Sequence, residues 1–183
     1  LSWWAIGLIM GPRSSETATS EIVSFADASS VPVSTVSSDV ASVSVRGLRI
    51  SDVVLTGFAS DTSGTNSVTL LDGDNEFIEL GMITTGTTAP VATTVWSGDN
   101  GEYKWRNSDG VEFVRTVRVE GYLVHISDTV RNTTSNTISV TPYARTVRGG
   151  ATPGAAGVQT GGIVSSNGDV TDVPWKRLDK KSY

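Results

Sequence analysis

The stretch that decides the fold is YKWRNSDGVEFVRTVRVEGYLVHISDTVRNTTSNTISVTPYARTVR, which covers Tyr103–Arg148. Three polar turn signals divide it, at 107–110 (NSDG), 120–121 (EG) and 132–136 (NTTSN). The runs between these signals are rich in Val, Thr, Ile, Tyr and Phe, which strands favour. Because short turns of this kind join antiparallel strands, the stretch predicts a meander of four antiparallel strands.

Apolar and polar residues alternate along these runs, as expected for a sheet with one buried and one solvated face. The apolar side chains expected on the buried face are Val111, Phe113, Val117, Val119, Tyr122, Val124, Ile126, Val130, Ile138, Val140 and Ala144. The alternation therefore predicts that one face of the meander covers a core.

Arg115 and Asp128 interrupt this apolar face. If 120–121 form a two-residue turn, Arg115 lies opposite Ile126, and Asp128 is its diagonal neighbour at about 7–8 Å, within reach of an arginine. We hypothesise a partly buried Arg115–Asp128 pair that fixes the register of the hairpin. The alternative is that both side chains reach solvent at a sheet edge. Neither role is catalytic.

Length and composition favour a single all-β domain. The 183 residues are enough for one domain with a substantial core. The high content of Gly, Ser, Thr and Val, without any stretch of sustained helical periodicity, is typical of strands joined by many turns. The formal net charge of −5 argues against nucleic-acid binding through a basic surface. The absence of cysteine excludes disulfides, thiol chemistry and cysteine-ligated metal sites.

The N-terminus begins with the most apolar segment of the chain, LSWWAIGLIM. Its ten residues would span about 15 Å as a helix, roughly half the hydrocarbon core, so we expect residues 1–13 to be the end of a transmembrane helix. The side chains expected to anchor it in the bilayer are Trp3, Trp4, Ile6, Leu8 and Ile9. The alternative is an apolar first strand or helix packed on the domain. The anchor is favoured because a polar tether, residues 14–38, follows it.

The domain itself is predicted to occupy residues 39–183. Residues 39–58 indicate two strands with a turn or bulge at 46–47. Residues 72–73 (Asp-Gly) are expected to form a hairpin turn rather than to begin a calcium loop, because Phe77 stands where the EF-hand motif requires glycine.

The residue types that carry enzymatic chemistry are sparse. His125 is the only histidine, so a zinc site with two histidines is excluded, and its place between Val124 and Ile126 favours an ordinary strand residue. Nothing in the sequence specifies the two opposed carboxylates in a cleft that a glycosidase needs. We therefore predict no catalytic residue, no metal site and no cofactor.

Several motifs of the deciding stretch occur in a recognisable order. They are Trp105 ahead of the 107–110 turn, Phe113-Val-Arg115-Thr116, Tyr122, Asp128-Thr-Val130-Arg-Asn132 and Pro142-Tyr143. Upstream, residues 46–55 (RGLRISDVVL) supply a Gly followed by an Ile-x-Asp-x-x-Leu run. From Val40 to its end, the chain resembles the first periplasmic domain of the YidC membrane protein insertases, and the alphaproteobacterial members look most similar.

The resemblance implies a β-supersandwich of the galactose-mutarotase-like kind on the periplasmic side of the bacterial inner membrane. Because the chain stops where the family continues with its last strands, a sandwich incomplete at the C-terminus is expected. The implied role is non-enzymatic and without cofactors: an interaction or spacer module that assists insertion and folding of inner-membrane proteins. The implied partners are the Sec translocon with its accessory subunits, nascent membrane proteins, and the lipid bilayer through the N-terminal helix. A non-catalytic carbohydrate-binding sandwich or a structural subunit of an envelope complex remains the alternative.

Overall fold

The structure, a computed structural model, describes residues 28–73, 76–147 and 161–174. The strands in this part of the chain are β1 (Ser34–Ser37), β2 (Ala41–Arg46), β3 (Arg49–Ala59), β4 (Ser67–Leu71), β5 (Phe77–Thr85), β6 (Glu102–Arg106), β7 (Glu112–Glu120), β8 (Leu123–Arg131), β9 (Ser139–Val147), β10 (Gly161–Ser166) and β11 (Asp169–Pro174). Every pairing between these strands is antiparallel. The predicted all-β, antiparallel fold class is confirmed.

Two sheets make up the sandwich. Sheet A has the order β1-β2-β3-β5-β9, and β4 pairs with β3 beside β5; sheet B has the order β6-β7-β8. The core between them contains one cluster of buried side chains around Val43, Val117 and Tyr103 and a second around Phe113. Trp96 packs against both clusters. Burying a side chain as large as Phe113 contributes about 1.5–3 kcal/mol, so this contact between the sheets holds the sandwich together.

Strands β10 and β11 form a separate two-stranded hairpin. Its pairing runs without interruption to Ser166 and Asp169, and Asn167 and Gly168 make the turn. Both turn residues have positive φ, 53° and 89°. This is the requirement of a type I′ turn, and an Asn-Gly sequence meets it with little strain.

Strand β3 changes partners at Asp52. Residues 49–50 pair with β5, whereas the pairing with β4 begins at Val53. Asp52 has a φ of 44°, and its Oδ1 accepts a hydrogen bond from the Gly73 N–H at 3.0 Å. The predicted hairpin at 72–73 is therefore wrong: β4 and β5 do not pair with each other, because both lie against β3.

The predicted four-stranded meander is wrong in its last strand. Strands β6, β7 and β8 are consecutive in sheet B, but β9 crosses to sheet A and pairs with β5 from Phe77↔Val147 to Thr85↔Ser139. The local signals, a polar segment followed by an alternating strand, are the same for a hairpin and for a crossover. The crossover places Tyr143 opposite Gly81, where the ring has the room that a side chain would fill.

The sheet begins earlier than the sequence indicated. Ser34–Ser37, assigned to the end of the tether over 14–38, forms β1 and pairs with β2. The earlier part of the tether and the proposed anchor residues Trp3, Trp4, Ile6, Leu8 and Ile9 lie outside the described residues. Within the ranges that are described, no helix has the length and apolar character needed to cross a membrane.

Candidate functional site

The register of the β7–β8 hairpin sets the positions of Arg115 and Asp128. Glu120 pairs with Leu123, so Gly121 and Tyr122 form the two-residue turn, and Arg115 lies directly opposite Asp128. The predicted register, with Arg115 opposite Ile126, is wrong. The reason is Gly121, whose φ of 56° at the first turn position suits a type II′ turn and shifts the turn by one residue.

Arg115 and Asp128 make a bidentate ion pair. Arg115 Nε donates to Asp128 Oδ1 at 2.7 Å, and Nη2 donates to Oδ2 at 2.8 Å. The Arg115 side chain is fully buried, whereas that of Asp128, on the edge strand, is 22% exposed. Two parallel charge-assisted hydrogen bonds fix the orientation of both groups as well as their separation.

Arg115 also reaches across the sandwich to sheet A. Its Nη2 donates to the Leu80 carbonyl oxygen at 2.6 Å, and its Nη1 donates to the Gly47 carbonyl oxygen at 3.4 Å. The guanidinium lies 5.8 Å from the centre of the Trp96 ring, within range of a cation–π interaction. One arginine thus joins the hairpin of sheet B to the backbone of sheet A. Sequence reasoning missed these contacts because a main-chain carbonyl has no signature in the sequence.

A second charged cluster surrounds Glu79 in sheet A. Arg49 on β3 and Arg145 on β9 flank it in register, and both donate to Oε2, at 3.0 and 2.9 Å. The Tyr143 hydroxyl donates to Oε1 at 2.9 Å. Glu79 is 2% exposed and Arg49 1%. Because neighbouring side chains of a strand face opposite sides, Glu79 lies on the face of β5 opposite to Ile78, which packs against the core.

The Glu79 cluster holds its groups in fixed protonation states. Burial by itself raises the pKa of Glu79, but hydrogen bonds from Arg145, Arg49 and Tyr143 together outweigh burial, so the net pKa lies below its usual 4.5. Burial and the negative charge of Glu79 raise the pKa of Tyr143 to about 12. Glu79 is therefore ionised and Tyr143 protonated at neutral pH, which suits a structural cluster better than proton transfer.

Among the residues that the structure describes, His125 lies apart from the two charged clusters. His125 lies on the solvated face of sheet B, half exposed, with Nε2 at 3.6 Å from Glu120 Oε2. The residues that the structure describes contain no group of three or more His, Cys, Asp or Glu side chains able to hold a metal ion. In the two charged clusters, carboxylate oxygens accept hydrogen bonds from protein donors. These hydrogen bonds hold neighbouring strands and the two sheets together.

The described part of the chain is thus an antiparallel β-sandwich whose two sheets are joined by the buried Arg115. The family model described as the YidC periplasmic domain matches residues 31–183. The chain therefore belongs to the YidC periplasmic domain family.

Its relatives include proteins named Membrane protein insertase YidC from three alphaproteobacteria. The Rickettsia akari protein is 31% identical over 119 residues, which are 56% of this chain and 21% of that protein. The Sinorhizobium fredii protein is 25% identical over 158 residues, 76% of this chain and 27% of that protein. The Bradyrhizobium diazoefficiens protein is 29% identical over 159 residues, which are 76% of this chain and 26% of that protein. The chain thus spans about a quarter of the length of these relatives. These names favour the insertase interpretation over the carbohydrate-binding alternative.

Proposed function

We propose that this chain is the periplasmic domain of a membrane protein insertase in the bacterial inner membrane. In this role it assists the insertion and folding of inner-membrane proteins, as an interaction or spacer module and not as an enzyme. The observation that carries the proposal is the family match over residues 31–183. The arrangement of the buried charges supports it, because Arg115, Asp128 and Glu79 are engaged with protein groups.

The proposed partners are nascent membrane proteins, the Sec translocon with its accessory subunits, and the lipid bilayer. Contact with the bilayer is assigned to residues 1–13, whose anchoring side chains are Trp3, Trp4, Ile6, Leu8 and Ile9. Bulky apolar side chains suit a helix inside the bilayer, although tryptophans of membrane helices usually lie nearer the interface than Trp3 and Trp4 do here.

The location is tested on the full polypeptide that contains this chain, in intact spheroplasts. Protease added outside is expected to cleave the domain, and an inner-membrane protein with its soluble part in the cytoplasm serves as the protected control. Protection of the domain in intact spheroplasts, with cleavage only after lysis, would overturn the periplasmic assignment.

The role is tested by purifying the tagged full polypeptide in mild detergent and measuring co-purification of Sec translocon subunits. Enrichment over an unrelated tagged inner-membrane protein is expected. Replacing the domain by an unrelated β-sandwich of similar size separates the two kinds of module: a spacer keeps membrane protein insertion at its normal rate, whereas an interaction module loses it. Absence of both co-purification and any insertion defect on deletion would refute the proposal.

The anchor is tested separately with Ile6→Lys. A lysine costs about 2.5–3.5 kcal/mol at the centre of a membrane helix and less towards its ends, so this change should make the full polypeptide easier to extract with alkaline carbonate. Ser14→Lys, in the proposed polar tether, is the matched control and should leave extraction unchanged. Equal extraction of the two variants would contradict an anchor at residues 1–13.

A further inference from the structure

Three exposed apolar side chains gather at the tip of the β7–β8 hairpin. Phe58, Tyr122 and Leu123 are 52%, 56% and 56% exposed. The rings of Phe58 and Tyr122 are in contact, with 5.9 Å between their centres and 37° between their planes. We call these three residues the tip patch. Exposed aromatic side chains that cluster, in contrast to single exposed apolar residues, are a feature of binding surfaces.

The tip patch is held in place by the fold. The Ser38 hydroxyl donates to the Gly121 carbonyl oxygen at 2.7 Å, which ties the turn to the start of β2. A Cβ added at Gly57 would lie 3.3 Å from the Tyr122 hydroxyl oxygen, so the absence of a side chain there leaves the space for Tyr122. A patch whose rotamers and backbone are already ordered loses little conformational entropy when it binds.

The patch lies at the end of the sandwich away from Ala28. Val40, immediately before β2, accepts a hydrogen bond from the Gly57 N–H beside the patch, whereas Arg46 at the end of β2 donates to the Ala28 carbonyl oxygen at 3.5 Å. A strand of this length separates the two ends by roughly 20 Å. The tip patch and Ala28 therefore lie near opposite ends of β2.

Carboxylates flank the patch. Glu120 pairs with Leu123 across the turn, and its side chain is 87% exposed. Asp39 is exposed next to Val40, and its carbonyl oxygen accepts from the Thr56 hydroxyl at 3.4 Å, two residues before Phe58. On the outer face of sheet B, Arg118 lies opposite His125, and His125 Nε2 is 3.6 Å from Glu120 Oε2. With a net charge of −5, the chain would repel an anionic lipid surface and attract a basic segment.

We propose that the tip patch binds a short basic polypeptide segment, in which an aromatic or aliphatic side chain packs on Phe58 and Tyr122 while adjacent Lys or Arg side chains meet Glu120 and Asp39. The apolar contact supplies most of the affinity, and the carboxylates supply selectivity and faster association. This surface is a property of the domain itself and does not depend on the proposed role in insertion.

The experiment uses the full chain and a short fluorescein-labelled synthetic peptide of Leu, Phe and Lys, followed by fluorescence anisotropy at low salt. A matched peptide with Glu in place of Lys should bind about tenfold or more weakly. Tyr122→Ser combined with Phe58→Ser should weaken binding of the basic peptide by about tenfold or more. Val95→Ser is the control, because Val95 is 58% exposed and outside the patch; it should bind like the parent chain.

Circular dichroism shows whether each variant is folded, and Glu120→Gln offers a second measurement that leaves the apolar contact intact. Glu120→Gln should reduce the preference for the basic over the acidic peptide. Equal binding by the patch variant and the Val95 control would overturn the proposal. Equal affinity for the two peptides would also overturn it. Binding of anionic phospholipid vesicles by the parent chain but not by the patch variant would overturn it as well, because it would identify the occupant as a membrane surface.

Discussion

Arg115 on β7 lies directly opposite Asp128 on β8, and the two side chains form a bidentate ion pair at 2.7 and 2.8 Å. The same guanidinium donates to the main-chain oxygens of Leu80 and Gly47 in the other sheet. A single side chain therefore connects two strands of one sheet and both sheets of the sandwich. That the pair fixes the hairpin register remains a prediction.

Asp128→Ala is expected to lower the free energy of unfolding by about 3 kcal/mol. This is the lower end of the range for breaking a buried pair, because the Asp128 side chain is partly exposed while Arg115 is left buried without its carboxylate. Urea unfolding followed by tryptophan fluorescence measures the change. Glu112→Ala, which removes the more exposed Glu112–Arg131 pair of the same hairpin, is the control and should cost at most about 1 kcal/mol.

A double-mutant cycle tests whether the two residues act as a unit. Arg115→Met together with Asp128→Leu should lose less stability than the sum of the single changes, because no buried charge is left unpaired. Additive effects, or an Asp128→Ala variant as stable as Glu112→Ala, would show that the pair has no special structural role.

The Glu79 cluster predicts a loss of stability in acid. The pKa of Glu79 is lower in the folded protein than its usual 4.5, so its ionised form stabilises the fold. This contribution is fully present above about pH 4.5 and declines as the pH falls through 4.5 towards the folded-state pKa. The difference in unfolding free energy between the parent chain and Glu79→Gln should therefore shrink as the pH is lowered.

The comparison that isolates Glu79 is Glu112→Gln, measured over the same pH range by urea unfolding. Glu112 lies in an exposed pair, so its substitution should change the stability curve less at every pH. A Glu79→Gln deficit that is constant with pH would contradict a stabilising ionised Glu79.

Tyr143→Phe is expected to destabilise the fold by about 1.5–3 kcal/mol, because it removes a hydrogen bond to a charged carboxylate. The raised pKa, about 12, means that the folded state retains the phenolic proton. The stability from this group is full below its usual pKa of 10.0 and is lost as the pH rises through about 12. Alkaline titration of near-ultraviolet absorbance should show one late-ionising tyrosine that is missing in Tyr143→Phe; identical titration curves would refute the assignment.

Gly81→Ala should destabilise the β5–β9 pair by about 1–3 kcal/mol, because a Cβ there would overlap the Tyr143 ring and displace its hydroxyl from Glu79. The same substitution in a Tyr143→Ala background removes the clash. There it should be neutral or stabilising by up to about 1 kcal/mol, since alanine restricts the unfolded chain. Thermal unfolding of the four proteins checks the reversal, and the same destabilisation in both backgrounds would exclude the steric explanation.

The strands were more predictable than their partners. The alternation of apolar and polar residues located β7 and β8 and their buried face, because this pattern is contained within each strand. It could not assign β9 to sheet A, since the sequence around 132–147 has the same local features in a hairpin as in a crossover. The register of β7–β8 depends on the position of Gly121 in the turn. With 120–121 as the predicted turn, the partner of each β7 residue was placed two residues too early in β8.

The charged clusters show the same limit at longer range. Arg115 and Asp128 were detectable because both interrupt an apolar face within one hairpin. The Glu79 cluster was not, because its arginines lie 30 and 66 residues away in the sequence, on strands whose neighbours only the topology reveals. Glu79, Arg49 and Arg145 each look like an ordinary polar position when their own strands are considered alone.

The contacts of Arg115 with main-chain oxygens carry an evolutionary consequence. Any residue at position 80 supplies a carbonyl, so mutational drift of that side chain leaves this attachment to sheet A chemically intact. Position 47 is restricted for a different reason, because Gly47 has a φ of 59°. Positions 115 and 128 have no such freedom, because loss of either charge leaves the other without its ion-pair partner. Among homologous domains, substitutions at 115 and 128 should therefore arise together, while the side chain at position 80 diverges independently.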